Sequence, residues 1–417
     1  MKTTPKNRKK PRNDAPHFEA HANLAFARVR SAFADLLTSV DADPTKPQDV
    51  ARQFRLNKNL TWKISKIICE ADPGSVAPYV PGKAGLNIFL NSLTKAGAPS
   101  DRISEVREAL EEFEKMQEIH AGNRETLEMM LGNMATGAEA QQQLEAQRKL
   151  SFRGNSAIWG VRARLQICAN FIAPGNDPDF VDLGWLSGMV DFRRLRRDAT
   201  WAMSSTRKVN DRGETLPLGN IESIDPRFNH DATAPLMGDF CSDPLPELSL
   251  DVGADGLMRY RLVEGPIGNT AATTCIMGVL GRGFVRRNRT PGDALGEHVT
   301  RLYTPAECLI HDLFVHRELS HALTPSIHLY SQLPIDMPYP TLDRHAGVLP
   351  LWERIQFLGA GTPVVLTPEY PKYRALIQSV FDRAGWDPAD FHGFRFIMRY
   401  PPIPAVAVFR YPLPERA

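Results

Sequence analysis

Cysteine is scarce and scattered along this chain. The five residues Cys69, Cys168, Cys241, Cys275 and Cys308 form no C-x-x-C pair, which points away from a zinc ribbon or a disulfide framework and toward reduced, mostly buried thiols. Long apolar runs are missing too. The uncharged stretch 266–281 is shorter than the roughly 20 residues a membrane-spanning helix needs, so no membrane is expected as a partner. The first sixteen residues are polar and basic, with no apolar segment of the kind a secretory signal carries, and the expected compartment is the cytoplasm. The chain also lacks a Walker-type Gly-Lys-Ser/Thr loop, G-x-G-x-x-G, G-x-S-x-G, H-E-x-x-H and any cysteine–histidine signature. Nothing in it therefore argues for an enzyme, and no metal or other cofactor is expected.

What is there is ordinary for a folded protein. At 417 residues the chain is too long for a single core of usual size, and 42% hydrophobic with 24% charged residues excludes a disordered chain or a fibrous rod. The net charge of +2 hides a segregation. Residues 1–73 hold fourteen Lys and Arg against eight Asp and Glu, whereas residues 100–150 hold six against eleven. A basic head is followed by an acidic neck and a nearly neutral body. Six of the head's cations fall within the first twelve residues, and residues 1–16 read as a disordered basic tail. Its Lys6, Arg8, Lys9, Lys10 and Arg12 are candidates to lie along a phosphate backbone, the alternative being a tail that serves solubility.

The head carries the one pattern with a mechanism. Phe26, Val29, Phe33, Leu36, Leu37 and Val40 recur at helical spacing over residues 18–40. Pro47 suits the first position of a second, short helix over 47–54. Asn57 is placed to cap a third over 58–70, where Leu60, Ile64, Ile67 and Ile68 form one buried face. Small Ala51 lets the third helix cross the second closely, and Leu56 plugs the corner. The opposite face of the third helix is expected to show Lys58, Asn59, Thr61, Trp62, Lys63, Ser65 and Lys66. Such side chains contact phosphates and base edges in a major groove.

The stretch Val-Ala-Arg-Gln-Phe-Arg-Leu-Asn-Lys-Asn-Leu-Thr-Trp-Lys-Ile-Ser-Lys-Ile, residues 50–67, resembles the helix-turn-helix of winged-helix bacterial transcription regulators of the IclR and MarR types. It departs from them at Arg55, where such motifs carry Gly, and at residues 72–82, which are too short and proline-rich for a full wing hairpin. The resemblance implies a DNA-binding regulator with double-stranded DNA as partner, contacted by Lys58, Asn59, Thr61, Lys63 and Lys66 with Arg52 and Arg55 beside them. A three-helix module for protein contacts has the same geometry and is the alternative.

Beyond the head, Ile103, Val106, Leu110, Phe113, Met116 and Ile119 predict an amphipathic helix with Glu108, Glu111, Glu112 and Glu114 turned away. Such a neck either pairs two subunits into a homodimer or packs on the body. From residue 161 the pattern changes to short β-prone runs, including 165–172, 200–205, 258–263, 272–285, 309–315, 326–330, 363–366, 394–400 and 405–411, with a helix over 370–384. Residues 210–239 read as a long loop or lid. His311, His316, His321 and His328 step along the chain at intervals that scatter their side chains, which favours structural roles over a metal site. The arginine groups 193, 194, 196, 197 and 282, 286, 287, 289 are read as solvated or locally paired, with an anionic ligand or nucleic-acid phosphates as the alternative.

The expected fold is α+β: a disordered tail (1–16), an all-α helix-turn-helix domain (17–73), a helical neck (74–160) and a mixed α+β C-terminal domain (161–417). The expected function is transcription regulation, with a C-terminal domain that senses a small-molecule or protein effector. The competing readings are an enzyme whose site lies in the C-terminal domain and a protein-assembly module that binds no DNA.

Overall fold

The structure, a computed structural model, describes residues 17–132, 138–206, 208–209, 215–216, 221–229, 234–253, 258–289, 294–332 and 347–416. The chain divides into two compact units, Met1–Leu144 and Glu145–Ala417, the first helical and the second rich in strands, so the protein is of mixed α+β class.

The first unit contains α1 (Phe18–Thr38), α2 (Pro47–Gln53), α3 (Lys58–Cys69), α4 (Pro73–Val76), α5 (Lys83–Lys95), α6 (Ser100–His120) and α7 (Arg124–Gly132), and it takes in the first part of α8 (Ala138–Trp159). The apolar spacing read in residues 18–40 becomes the buried stripe of α1, with Phe26, Val29, Phe33 and Leu36 each at most 1% exposed. This stripe meets both the head and the supposed neck. Phe26 stands edge-on to Phe113 of α6 at 5.1 Å, and Phe33 edge-on to Phe89 of α5 at 5.8 Å. Val50, Ile64, Ile67, Leu93, Val106, Leu110 and Met116 belong to the same core. Residues 74–132 are therefore not a separate spacer: the amphipathic face of α6 is consumed by α1, and Arg28 pairs with Glu112 along the seam.

The second unit begins within α8. Its strands are β1 (Val161–Pro174), β2 (Phe180–Arg194), β3 (Trp201–Thr206), β4 (Lys208–Val209), β5 (Thr215–Leu216), β6 (Ile221–Ser223), β7 (Leu248–Val252), β8 (Met258–Leu262), β9 (Thr273–Arg286), β10 (Leu295–Leu302), β11 (Ala306–His316), β12 (Ser326–Ser331), β13 (Gln356–Ala360), β14 (Phe391–Arg399) and β15 (Ala405–Pro412), with α9 (Tyr373–Ala384) before β14. Seven of them form a sheet in the order β13-β14-β11-β1-β2-β9-β6, in which β1 and β11 run parallel and the other pairs antiparallel. Side chains alternate across this sheet. Ile167, Phe171, Ile310 and Phe314 face α9, whose Tyr373, Ile377, Val380 and Phe381 cover them. On the other side Leu309, Leu313 and Phe396 meet Ala405, Ala407 and Phe409 of the small sheet β10-β15-β12. A third sheet, β3-β8-β7, shares a further apolar cluster with Met189 and Cys275.

The unit boundary at 144/145 lies earlier than the change of pattern at 161. Arg148, Phe152 and Ser156, one helical turn apart on α8, are buried in the second unit, where Phe152 packs on Tyr400 at 5.5 Å and Arg148 pairs with Glu353. The apolar run 363–366 is no strand: Val364 N–H bonds the Leu358 carbonyl at 2.9 Å, and Val364 and Leu366 are exposed. Of residues 210–239 a part lies outside the described residues, and the rest includes β6, which pairs with β9 at the sheet edge.

One polar group sits inside the apolar layer under α9. Asp312 of β11, fully buried, accepts two hydrogen bonds from its register partner Arg395 of β14, at 2.9 and 2.7 Å, and one from the Tyr373 hydroxyl at 2.8 Å. Arg395 also donates to the Leu366 carbonyl at 2.8 Å. Burial and the Asp312 charge together push the Tyr373 hydroxyl well above its ordinary pKa, so it acts only as a donor here. Removing one partner leaves a buried charge without compensation. Asp312→Ala is expected to destabilise the second unit by about 3 to 5 kcal/mol in denaturant unfolding, and the double change Asp312→Leu with Arg395→Met to cost clearly less.

Candidate functional site

The α2–α3 corner is built from local signals. Pro47 opens α2, and the chain turns at Arg55, whose φ of 53° is the left-handed conformation that glycine adopts without strain. The Leu56 N–H returns to the Ala51 carbonyl at 2.9 Å, with both side chains buried. Asn57 caps α3 by accepting the Asn59 N–H at 2.8 Å. Ser92 of α5 donates to the Phe54 carbonyl at 2.6 Å and so fixes the turn from outside.

With Ile64 and Ile67 in the core, the outer face of α3 shows Lys58, Asn59 and Trp62, with Lys63, Ser65 and Lys66 half-buried at its edges. Thr61 is a correction to the sequence reading. It is 2% exposed and its hydroxyl donates to the Lys58 carbonyl at 3.1 Å, because its angular position on the helix falls between Ile64 and the turn rather than on the solvent side. Lys66 pairs with Glu70 one turn on, at 3.2 Å, and Arg52 with Asp49 at 3.3 Å. Lys58, Lys63 and Arg55 form no ion pair among the described residues. Trp62 is 41% exposed and leans edge-on against Tyr79 at 5.1 Å. Residues 72–82, in place of a wing hairpin, form α4 and the single 3-10 turn Ala77–Tyr79. Lys6, Arg8, Lys9, Lys10 and Arg12 of the tail lie outside the described residues.

In the second unit, the four histidines of the sequence reading are dispersed. His311 is buried between the sheets, His316 approaches Asp390 at 3.8 Å, His321 lies against Tyr411, and His328 bonds Ser326 at 2.9 Å. Among the described residues no three of His, Cys, Asp and Glu are placed to share a metal ion. Asp312, four residues before His316, is held by Arg395 and does not pair with that histidine. Several of the arginines prove structural. Arg194 is buried and donates to the carbonyls of Ala199, Leu262 and Val263 at 3.0, 2.8 and 2.7 Å, while Arg282 bonds Asp182 at 2.8 Å and the Ala384 carbonyl at 2.8 Å.

The layer between the seven-stranded sheet and β10-β15-β12 holds polar residues, of which Cys168 and His311 were read as buried or structural and Asn170 and His298 were not singled out. Cys168, Asn170 and His311 lie together, with Asn170 Nδ2 3.0 Å from His311 Nε2, and His298 of β10 bonds the Tyr411 hydroxyl at 3.1 Å. The signal available was Gln166, Cys168 and Asn170 at alternate positions of an otherwise apolar strand. Burial raises the Cys168 thiol to about 11, lowers His298 to about 4 and lowers His311 to about 3. A thiol held neutral in a closed layer is no nucleophile, so this cluster orders the sandwich and offers no reaction centre.

No protein-family model, curated protein or solved structure matches this chain.

The two depressed histidines make the sandwich acid-sensitive. An imidazole in the unfolded chain takes up its proton near pH ~6.5, whereas folding keeps these two neutral down to about 4 and about 3. Stability is full above pH ~6.5 and falls as the pH drops through this window, by about 2 kcal/mol per histidine at pH 5. Denaturant unfolding at pH 7 and pH 5 measures the difference, and His311→Leu is expected to shrink it by about half.

Proposed function

We propose that the helical unit binds double-stranded DNA through α3, and that the protein is a transcription regulator whose second unit receives a small-molecule or protein effector. The carrying observation is the composition and setting of α3. Its twelve residues include three lysines and no acid, and its outer face presents Lys58 and Asn59 at the capped N-terminal end, with Lys63 one turn further on. In the helix-turn-helix mode of docking, the N-terminal residues of the second helix of the pair meet base edges while lysines further along meet phosphates. Arg55 at the preceding turn extends the positive surface. The tail cations add phosphate contacts in this reading, and a homodimer would set two such helices about one duplex turn apart.

Titrating salt against the binding of labelled genomic duplex fragments tests this. The logarithm of affinity should fall steeply with the logarithm of salt. Lys58→Ala and Lys63→Ala should each weaken binding by about 1 to 3 kcal/mol and flatten the slope by about one unit, with stability changed by less than about 0.5 kcal/mol. Asn59→Ala should relax sequence preference more than it lowers affinity. Lys66→Ala should have a smaller effect, since that ammonium is already paired with Glu70. Wild-type affinity and slope in all of these variants would sink the reading.

A further inference from the structure

The second unit has an exposed corner that neither the fold nor the proposed duplex contact uses. It forms where α8 ends and the loop after β2 folds back on it. The Leu195 N–H bonds the Gly160 carbonyl at 2.7 Å and Arg196 donates to the Ile158 carbonyl at 3.2 Å, so residues 158–160 and 195–197 are neighbours. Gly160, at φ 70°, allows this approach, and an added Cβ there would meet Arg196 at 3.0 Å. The corner exposes large apolar side chains: Ile158 at 67%, Trp159 at 50% and Leu195 at 42%. Trp159 is not loose, because its ring packs edge-on against Trp201 at 6.2 Å, and Trp201 is pinned by its indole N–H to the Thr304 hydroxyl at 2.8 Å.

Exposed arginines lie on the loop that packs against the end of α8 beside this braced ring. Arg197 is exposed with no ion pair among the described residues, and Arg196 is half neutralised by Asp198 at 3.0 Å. A rigid, half-exposed indole on the same corner as two exposed arginines matches one partner chemistry, a flexible polyanion with flat apolar faces. Bases stack on the indole while the arginines meet the phosphates. An apolar protein partner would leave those arginines buried without acceptors.

We propose that the corner formed by Trp159, Arg196 and Arg197 binds single-stranded nucleic acid. This site is independent of α3. Full-length protein is titrated against labelled 20-mers of oligo-dU and oligo-U at low salt, with affinity and melting temperature followed in parallel. Wild-type protein should bind at least one of them, and the stronger of the two identifies the sugar. Trp159→Ala should weaken that binding about tenfold, while Trp159→Phe, which keeps a stacking face, should stay within about threefold. The double change Arg196→Ala with Arg197→Ala, at exposed positions, should weaken it at least fivefold at an unchanged melting temperature. Lys63→Ala on α3 should leave it unaltered, which separates the fate of this site from that of the duplex reading. The proposal is overturned if neither oligonucleotide binds, or if the stably folded double-arginine variant binds both as the wild type does.

Discussion

A carboxylate buried in the middle of a sheet has to be answered from close by, and that requirement organises the second unit. Asp312 lies on β11, between β14 and β1 of the seven-stranded sheet, with no access to solvent. Its charge is met by Arg395 across the strand pair and by Tyr373 at the start of α9, and Arg395 reaches on to the carbonyl of Leu366. Two separate pieces of chain are thereby tied to one oxygen pair, and a third, at Leu366, is tied to them through Arg395. A slip of one residue along β11 would turn Asp312 into the layer between the sheets, against Phe409, and bring His311 under α9. The register of β11 and β14, and the seat of α9, are thus specified by polarity as well as by apolar packing.

The helical unit follows the complementary rule, one continuous apolar core in which the buried polar side chains, Thr61 and Ser75, are satisfied by near neighbours in the chain. Because α1 spends its stripe on α3, α5 and α6 together, the orientation of α3 is set by the whole unit and not by the α2–α3 turn alone. That is the physical meaning of the Ser92 hydroxyl bonded to the Phe54 carbonyl: an element sixty residues from the chain start is held in place by one that looked like spacer.

Local chemistry was readable in the residues. Pro47, Asn57 and the Leu-Ile-Ile spacing mark α2 and α3 to within a residue or two, and the runs around Ile167, Ile310 and Phe396 mark β1, β11 and β14. Partners were not readable. The stripe on α6 says that a face is buried without saying against what, so α6 passed for a neck. β2 was missed because Gly184, Gly188 and the polar Ser187 and Asp191 break its pattern, although pairing with β1 and β9 on both sides makes it central. The run 363–366 misled in the opposite direction, being β-prone in composition with no strand to pair with. For the candidate site, charge and capping placed Lys58, Asn59 and Lys63 on one helix, while Thr61, three residues before Ile64, falls by helical period on the buried face, which its polar side chain disguised. The corner at Trp159 was half visible as an arginine-rich stretch, and its aromatic half appears only when α8 and β3 meet.

On the proposed reading, α3 is the surface that meets duplex DNA. Amide hydrogen exchange of the full chain, with and without saturating duplex at low salt, reads this residue by residue. New protection is expected, centred on residues 55–66 of the turn and α3 and graded toward the N-terminal end of the helix. Exchange in that segment unchanged by duplex, with any protection falling elsewhere in the chain, would contradict it.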